Sequence, residues 1–461
     1  MSGPGPAPAP PFDPAAVGEF HFTGWTADWA AGVVELGYAL GDAHRFTERY
    51  TFPLPAGAPS PARRAALDRA VRLLHLVAGV SYFKAAVPPR IVVEGAPLGA
   101  PTAGFLGRLY TQGLGEFAYR NDMPGIGRGI RFPSEGEGPS PAAPAAPAGL
   151  SARSLVPVGG GKDSVVSLAA LAAAGEDVLA LSVGRKPSSD AAARIEGVPL
   201  LHVDRAIDPA LFALNAAGAL NGHVPITAIV TCVALVAALL HDCDAVVMSN
   251  ERSASSGNFD WPEFGAVINH QFSKGWEAER GLAEVVARDV APDLRCFSLL
   301  RPWSELAISR AFAALEGHHA TFMSCNTGFR IHEPAVPGWC GNCPKCRFVF
   351  LALAPFMARD ALTAVFGADL LDDPAQEAGF RAILGIDAEK PFECVGETDE
   401  ARAALRVVAA SPDWAADTIV ARLAPAVGGP DAGAVEPWLR RSGEHAIPPR
   451  HDRAIGALLG A

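Results

Sequence analysis

SLVPVGGGKDSVVSLAALAAAG, residues 154–175, decides the fold of this 461-residue chain. A short apolar run, 154–158, meets Gly159, Gly160 and Gly161. Lys162, Asp163 and Ser164 follow, and a helix of small residues begins there. Glycines let backbone N–H groups approach an anion, and a helix N-terminus adds its positive dipole end. Phosphate binding is the physical expectation, and a ligand-free strand–helix turn is the plain alternative. A Walker loop needs glycine at position 156 and Ser or Thr after the lysine, but Val156 and Asp163 stand there. A dinucleotide loop needs a third glycine where Ser164 stands. It also needs an acidic residue after the next strand, where Gly184, Arg185 and Lys186 are found.

Outward from the loop, strand-like runs at 154–158, 178–183, 199–203, 245–248 and 295–299 alternate with helical stretches. That alternation predicts α/β architecture with a parallel sheet and crossover helices. Upstream, residues 17–121 read as a small α+β domain. Val33–Leu36 and Arg45–Phe52 alternate as strands, Pro61–Ala86 and Phe105–Arg120 as helices, and 91–93 as a further strand. Residues 1–16 read as a disordered tail and 122–152, rich in Pro, Ala, Gly and Ser, as a linker. Residues 153–346 form the nucleotide-binding domain with its cysteine knuckle, and 347–461 a mainly helical C-terminal region.

Composition narrows the function. The chain is 49% hydrophobic, enough for two or three cored domains, and its net charge of −11 argues against stable nucleic-acid binding. The N-terminus lacks the charged and apolar regions of a signal peptide. The longest apolar run, Ile226–Leu240, is shorter than the ~20 residues that span a bilayer, so it predicts a buried helix and no membrane partner. A cytoplasmic location is expected, with reduced cysteines. The sequence specifies no oligomeric state.

Cys340, Cys343 and Cys346 lie in two consecutive C-x-x-C steps, and Cys325 supplies a fourth thiolate. Such a set suits a structural Zn²⁺. An iron–sulfur cluster is the alternative, and His332 competes as fourth ligand. Cys232, Cys243, Cys296 and Cys394 are scattered and read as core fillers.

Two polar segments flank the strand at 245–248. They are MSNERSASSGN, 248–258, and VINHQFSKGWEAE, 267–279. Ligands in open α/β sheets bind at the C-terminal strand edge. Asn250, Glu251 and Arg252 are expected there, with Asn269, His270 and Lys274 before the next helix. A solvated, capped loop is the bland alternative. Isolated histidines such as His75 and His223 read as structural.

G-G-x-D-S after a strand resembles the PP-loop of the ATP-pyrophosphatase superfamily, with Gly159 in place of the leading serine. The resemblance implies that Gly159 to Ser164 grip the pyrophosphate of ATP, that Asp163 holds Mg²⁺ against the leaving group, and that the strand ending at Ser182 lines the adenine. A similar knuckle follows the PP-loop domain in nitrile synthases of queuosine-precursor synthesis. With S-N-E-R-S-A, N-H-Q-F-S-K and the distal cysteines, residues 150–350 resemble the ATP-dependent UDP-N-acetylmuramoyl-L-alanyl-L-glutamate epimerases of peptidoglycan synthesis.

The resemblance implies conversion of a terminal L-Glu to D-Glu while ATP becomes AMP and diphosphate. The Cα–H beside a carboxylate is very weakly acidic, and an acyl-adenylate removes the opposing charge. Two facing acid/base groups are then needed. Glu251, His270 and Lys274 are the candidates, with His332 and Cys325 in reserve. Asn250, Arg252 and Asn269 are candidates to hold substrate, Arg252 as a fork on a carboxylate. Two rival classes are a different PP-loop ligase or amidotransferase, either nitrile synthase-like or tRNA-modifying, and a non-catalytic zinc-bearing nucleotide-binding protein.

Overall fold

The computed structural model describes residues 11–134, 145–325, 338–387 and 390–460. β1 (Glu19–Asp28), β2 (Val33–Leu40) and β3 (His44–Thr51) make an antiparallel meander. α1 (Pro61–Ala78) follows. Ser60 Oγ accepts the Arg63 N–H at 3.2 Å, and Pro61 occupies the first turn, where its missing N–H costs nothing. Leu67, Val71, Leu74 and Val77 bury the expected stripe. The helix ends earlier than predicted, at Gly79, where a Cβ would stand 2.4 Å from the Phe22 ring. α2 (Val80–Phe83) then leads to β4 (Arg90–Val93), parallel to β1, and to α3 (Ala100–Gly113) and α4 (Gly115–Arg120).

The glycine loop joins β5 (Ser154–Pro157) to α5 (Lys162–Ala173). Next come β6 (Val178–Val183), α6 (Pro187–Ile195), β7 (Leu200–Ala206), α7 (Pro209–Ala216), α8 (Ile226–Leu240) and β8 (Ala245–Met248). A ribbon of β9 (Phe259–Trp261) and β10 (Ala266–Ile268) precedes α9 (Trp276–Val285), β11 (Arg295–Ser298) and α10 (Glu305–Ala313). The large sheet has nine strands in the order β11-β8-β5-β6-β7-β3-β2-β1-β4. Its first five are parallel, as the alternation predicted.

β7 pairs antiparallel with β3 through Asp204–Ala206. Residues 17–121 and 153–346, drawn apart on composition, therefore share one sheet, and β3 covers an edge that β7 would otherwise expose. Arg205 Nε donates to the buried Glu48 at 2.6 Å across this junction. Two further expectations are corrected. Residues 11–16, assigned to the tail, hold a 3-10 turn, and the Phe12 N–H bonds to the Ala217 carbonyl at 2.8 Å. Within 122–152, read as linker, Ile126, Phe132 and Ala148 are buried in the core, because apolar side chains among the prolines find the helix layer. Residues 1–10 of the tail and 135–144 of the linker lie outside the described residues.

α8 is buried almost all round against α1, β5 and β8. Among the described residues, no helix is long and apolar enough to cross a membrane. On the other face, α5 and α10 pack with the C-terminal helices α11 (Pro344–Leu353), α12 (Arg359–Phe366), α13 (Glu377–Ile383), α14 (Thr398–Ala410), α15 (Thr418–Leu423) and α16 (Pro449–Leu459). From β5 the chain runs one way to β6 and β7, then crosses back to β8 and β11. That reversal opens a crevice at the C-terminal ends of β5 and β8.

Candidate active site

The glycine loop sits at that crevice. Gly160 has φ +80°, and a Cβ on it would lie 2.3 Å from Ser188 Oγ. A Cβ on Gly161 would lie 2.5 Å from Ser324 Oγ. Gly160 is required by its positive φ and the Ser188 backbone, while at Gly161 only the Ser324 hydroxyl would have to turn away. At Gly159 a Cβ meets no atom within 4 Å, so serine would fit and only its hydroxyl is missing. α5 starts at Gly161 with no side-chain cap, which leaves its first N–H groups for an anion. Ser164 Oγ donates to the Gly161 carbonyl at 3.0 Å, and Ser182 Oγ to Gly184 at 2.8 Å.

Lys162 is buried and bridges Asp163 and Glu305. Burial disfavours its ammonium, but the two carboxylates outweigh burial and raise its pKa. Burial likewise opposes the Asp163 carboxylate, and Lys162 reverses this and lowers its pKa. Glu305 titrates above the carboxylate range because burial outweighs Lys162. Glu305 Oε1 is buried with no hydrogen-bond partner among the described residues. Carboxylate oxygens of Asp163, Glu251 and Glu305 all lie within 4.8 Å of one another. Three converging carboxylates with an orphaned oxygen fit a hard divalent cation such as Mg²⁺.

The two polar segments meet here. Arg301 Nη1 donates to the Glu251 carbonyl at 2.6 Å, and its other Nη donates to the Lys274 carbonyl. Glu279 fixes Arg301 through a buried contact at 2.7 Å. The Asn250 amide donates to Ser298 Oγ at 2.9 Å. Arg252 turns toward the C-terminal helices, bonds Ser442 and lies over Trp438 at 5.5 Å. Asn269 closes a local turn, accepting the Gln271 N–H at 2.8 Å and donating to Ala254 at 3.0 Å.

His270 lies in a second cluster. Its Nδ1 is 2.5 Å from Glu116 Oε2, and its Nε2 is 3.8 Å from Cys394 Sγ. The His223 and His270 ring centroids are 4.3 Å apart. Burial pulls the His270 pKa down, but Cys394 and Glu116 raise it to about 9. Burial and the neighbouring His270 push His223 down to about 4. Lys274 Nζ donates to Gln271 Oε1 at 3.4 Å. Burial works against its ammonium, and Cys394, Glu251 and Asp163 raise it above the usual range.

Cys394 was read as a core filler. Cys232, Cys243 and Cys296 do join the core, but Cys394 is half-buried among charged groups. Three contacts set it there. Lys345 Nζ donates to the Cys394 carbonyl, Gln271 to Val395 at 3.3 Å, and Asn258 to Pro391 at 2.9 Å. Glu116, His223, Glu305 and Cys394 escaped sequence reading as site residues because none lies in a chemically spaced motif, and Lys345 because the C-x-x-C step around it reads as metal-binding.

The four knuckle sulfurs lie within 4.8 Å of one another. Cys340 and Cys346 Sγ are 3.7 Å apart, close to the ~3.8 Å edge of a tetrahedron with Zn–S of about 2.3 Å. Cys343 also caps α11, accepting the Cys346 N–H at 3.4 Å. The Cys343 contact, burial and the other thiols push Cys346 far up, a crowding that a bound cation relieves. The donor set fits Zn²⁺. His332, the rival ligand and reserve acid/base group, lies outside the described residues.

A family model described as the MurL N-terminal domain matches residues 11–299, and one described as the MurL C-terminal domain matches residues 321–435. Three curated proteins, each named UDP-N-acetyl-alpha-D-muramoyl-L-alanyl-L-glutamate epimerase, are similar over nearly the whole chain. That of Xanthomonas oryzae pv. oryzae is 46% identical over 444 residues, covering 95% of this chain and 97% of its own. That of Salinispora tropica is 45% identical over 449 residues, covering 95% and 96%. That of a Micromonospora species is 44% identical over 447 residues, covering 95% and 97%. No solved structure matches the chain.

Proposed function

The chain belongs to the UDP-N-acetyl-alpha-D-muramoyl-L-alanyl-L-glutamate epimerase family, and on that premise we propose how its buried charge clusters perform the reaction. The protein is an isomerase of peptidoglycan precursor synthesis. It inverts the terminal L-Glu of UDP-N-acetylmuramoyl-L-Ala-L-Glu, and in this reading ATP first activates the glutamate carboxylate as an acyl-adenylate. A UDP-linked precursor and ATP support a cytoplasmic location in this reading.

The observation that carries this reading is the uncapped start of α5 beside Lys162, Asp163, Glu251 and Glu305. The reversal of strand order beside it, β7-β6-β5-β8-β11, supports a PP-loop reading of this sheet. Gly159 to Ser164 present N–H groups to the phosphates. Ser182, at the end of β6, borders the adenine. Lys162 keeps Asp163 charged and anchors Glu305, whose raised pKa a bound cation would offset. Mg²⁺ held by Asp163, Glu251 and Glu305 would offset charge on the departing diphosphate. Asn250, Arg252 and Asn269 are proposed to hold the dipeptide, Arg252 by exchanging its Ser442 contact for a substrate carboxylate. Once the carboxylate is an acyl-adenylate, the Cα–H is acidic enough for a side chain to remove. His270 and Lys274 stand close enough to serve that second step. Zn²⁺ at Cys325, Cys340, Cys343 and Cys346 would lock the start of α11, which carries Lys345.

The test is proton exchange at Cα. With UDP-N-acetylmuramoyl-L-Ala-L-Glu, ATP and Mg²⁺ in deuterated water, the glutamate Cα should gain deuterium only when ATP is present, with AMP as product. AMP release without label would move the chain to the ligase class, and ADP formation would overturn the adenylate.

A further inference from the structure

We propose that Cys394 is the base that removes the glutamate Cα proton, with Lys274 as the acid on the opposite face and His270–Glu116 as the pair that holds the thiolate. The proposal deepens the reading above and rests on it.

Three features place Cys394 at the chemistry. First, its sulfur lies 3.8 Å from His270 Nε2, whose Nδ1 is 2.5 Å from Glu116. An imidazole bonded at both nitrogens to anions is an imidazolium, and it orients a thiolate as it does in cysteine–histidine pairs. Second, the Cys394 loop runs against the nucleotide site. Two residues on, a Cβ at Gly396 would lie 3.0 Å from Glu305 Cγ. Lys345, beside Glu305 and Asp163, donates to the Cys394 carbonyl. The Cα of an acyl-adenylate is one bond from the activated carbon, so its base must stand next to the phosphate cluster, as Cys394 does. Third, the ammonium of Lys274 lies in the shared field of Cys394, Glu251 and Asp163. Burial raises the thiol pKa, but Lys274, His270 and Lys345 lower it to about 6. Glu393 also faces this group, and burial lifts its own pKa to about 7 against the pull of His270.

The step balances. The Cα–H bond breaks, its proton forms S–H on Cys394, and its electron pair moves into the acyl carbonyl as an enolate. The enolate collapses to a new Cα–H bond with a proton from the Lys274 ammonium on the other face. Hydrolysis of the inverted acyl-adenylate releases AMP and the D-Glu product. When product leaves, the S–H proton returns to the Lys274 amine.

The experiment separates the half-reactions. Adenylation is read as ATP–diphosphate exchange and proton abstraction as Cα deuterium uptake. In Cys394→Ala, deuterium uptake should fall ~100-fold or more, within the range of general-base contributions, while diphosphate exchange falls less than ~10-fold. Alkylation of wild-type Cys394 by iodoacetamide, mapped by mass spectrometry, should show a midpoint near pH 6 and be blocked by the dipeptide substrate. Retained deuterium uptake in Cys394→Ala would overturn the assignment. So would an alkylation midpoint above pH 8, or a glutamyl thioester on Cys394. Wild-type protein without diphosphate exchange would instead defeat the adenylate reading beneath it. The alkylation test needs no variant, so a Cys394→Ala protein that fails to fold leaves the proposal open to refutation.

Discussion

Two charged clusters adjoin through Lys274, and they are built differently. The first, around Lys162, is anchored on one strand–loop–helix, where Lys162 meets its neighbour Asp163, and draws only Glu251 and Glu305 from distant segments. The second joins Glu116, His270 and Cys394, which are 154 and 124 residues apart in sequence. The first is set by backbone geometry that two glycines permit. The second exists only if the helix layer, the ribbon after β8 and the C-terminal helices are all docked. A site that handles phosphate can be local, because backbone N–H groups and a helix end do most of the binding. A site that moves protons needs groups whose environments shift each other's pKa values, and those groups come from separate elements.

The largest effect should come from the knuckle, because Lys345 sits between two of its cysteines and reaches Cys394. Purified protein should carry about one zinc per chain by elemental analysis. Cys340→Ser, Cys343→Ser and Cys346→Ser should each lower metal content and soluble yield, since a structural site's binding energy is folding energy. A stable protein without metal, or one with iron and a visible chromophore, would undo the link between knuckle and clusters.

Next in size is Asp163→Ala. It removes a charge from the first cluster only, yet both half-reactions should fail, since the second depends on the adenylate. AMP formation should drop by ~100-fold or more, as for other groups that stabilise developing charge. Normal AMP release would sever the proposed order of the clusters.

The smallest effect is expected from Glu116→Gln, which leaves the first cluster intact. Deuterium uptake should fall about ten-fold and AMP formation much less. In wild type, Cys394 is a thiolate above about pH 6 and His270 an imidazolium below about pH 9. Uptake should therefore fall as pH drops through about 6 and again as it rises through about 9. The linked stability has matching signs. The Cys394 part is complete above the ordinary thiol value of 9 and is lost as pH falls through about 6. The His270 part is complete below 6.5 and is lost as pH rises through about 9. Removing the Glu116 charge lowers His270 and weakens its hold on the thiolate, so the acid limb should move above pH 6. An unmoved limb in Glu116→Gln would show that the second cluster does not act as a unit.

By itself the sequence determined what short-range spacing can encode. The parallel strands, the glycine loop and the C-x-x-C steps were legible because each is a local pattern of backbone freedom, hydrophobic period or ligand spacing. MSNERSASSGN and VINHQFSKGWEAE were legible as polar runs beside a strand end. Their division of labour was not, since Glu251 turns to Asp163 and Glu305 while His270 turns to Glu116. Composition also drew a boundary near residue 150 that the β3–β7 pairing crosses, because strand pairing depends on edges that no single segment displays. Cys394 looked like any scattered cysteine. Only tertiary structure decided its surroundings, by bringing Lys274, His270 and Lys345 around one sulfur. Desolvation and nearby charge set a thiol's character, and both depend on which distant segments pack together.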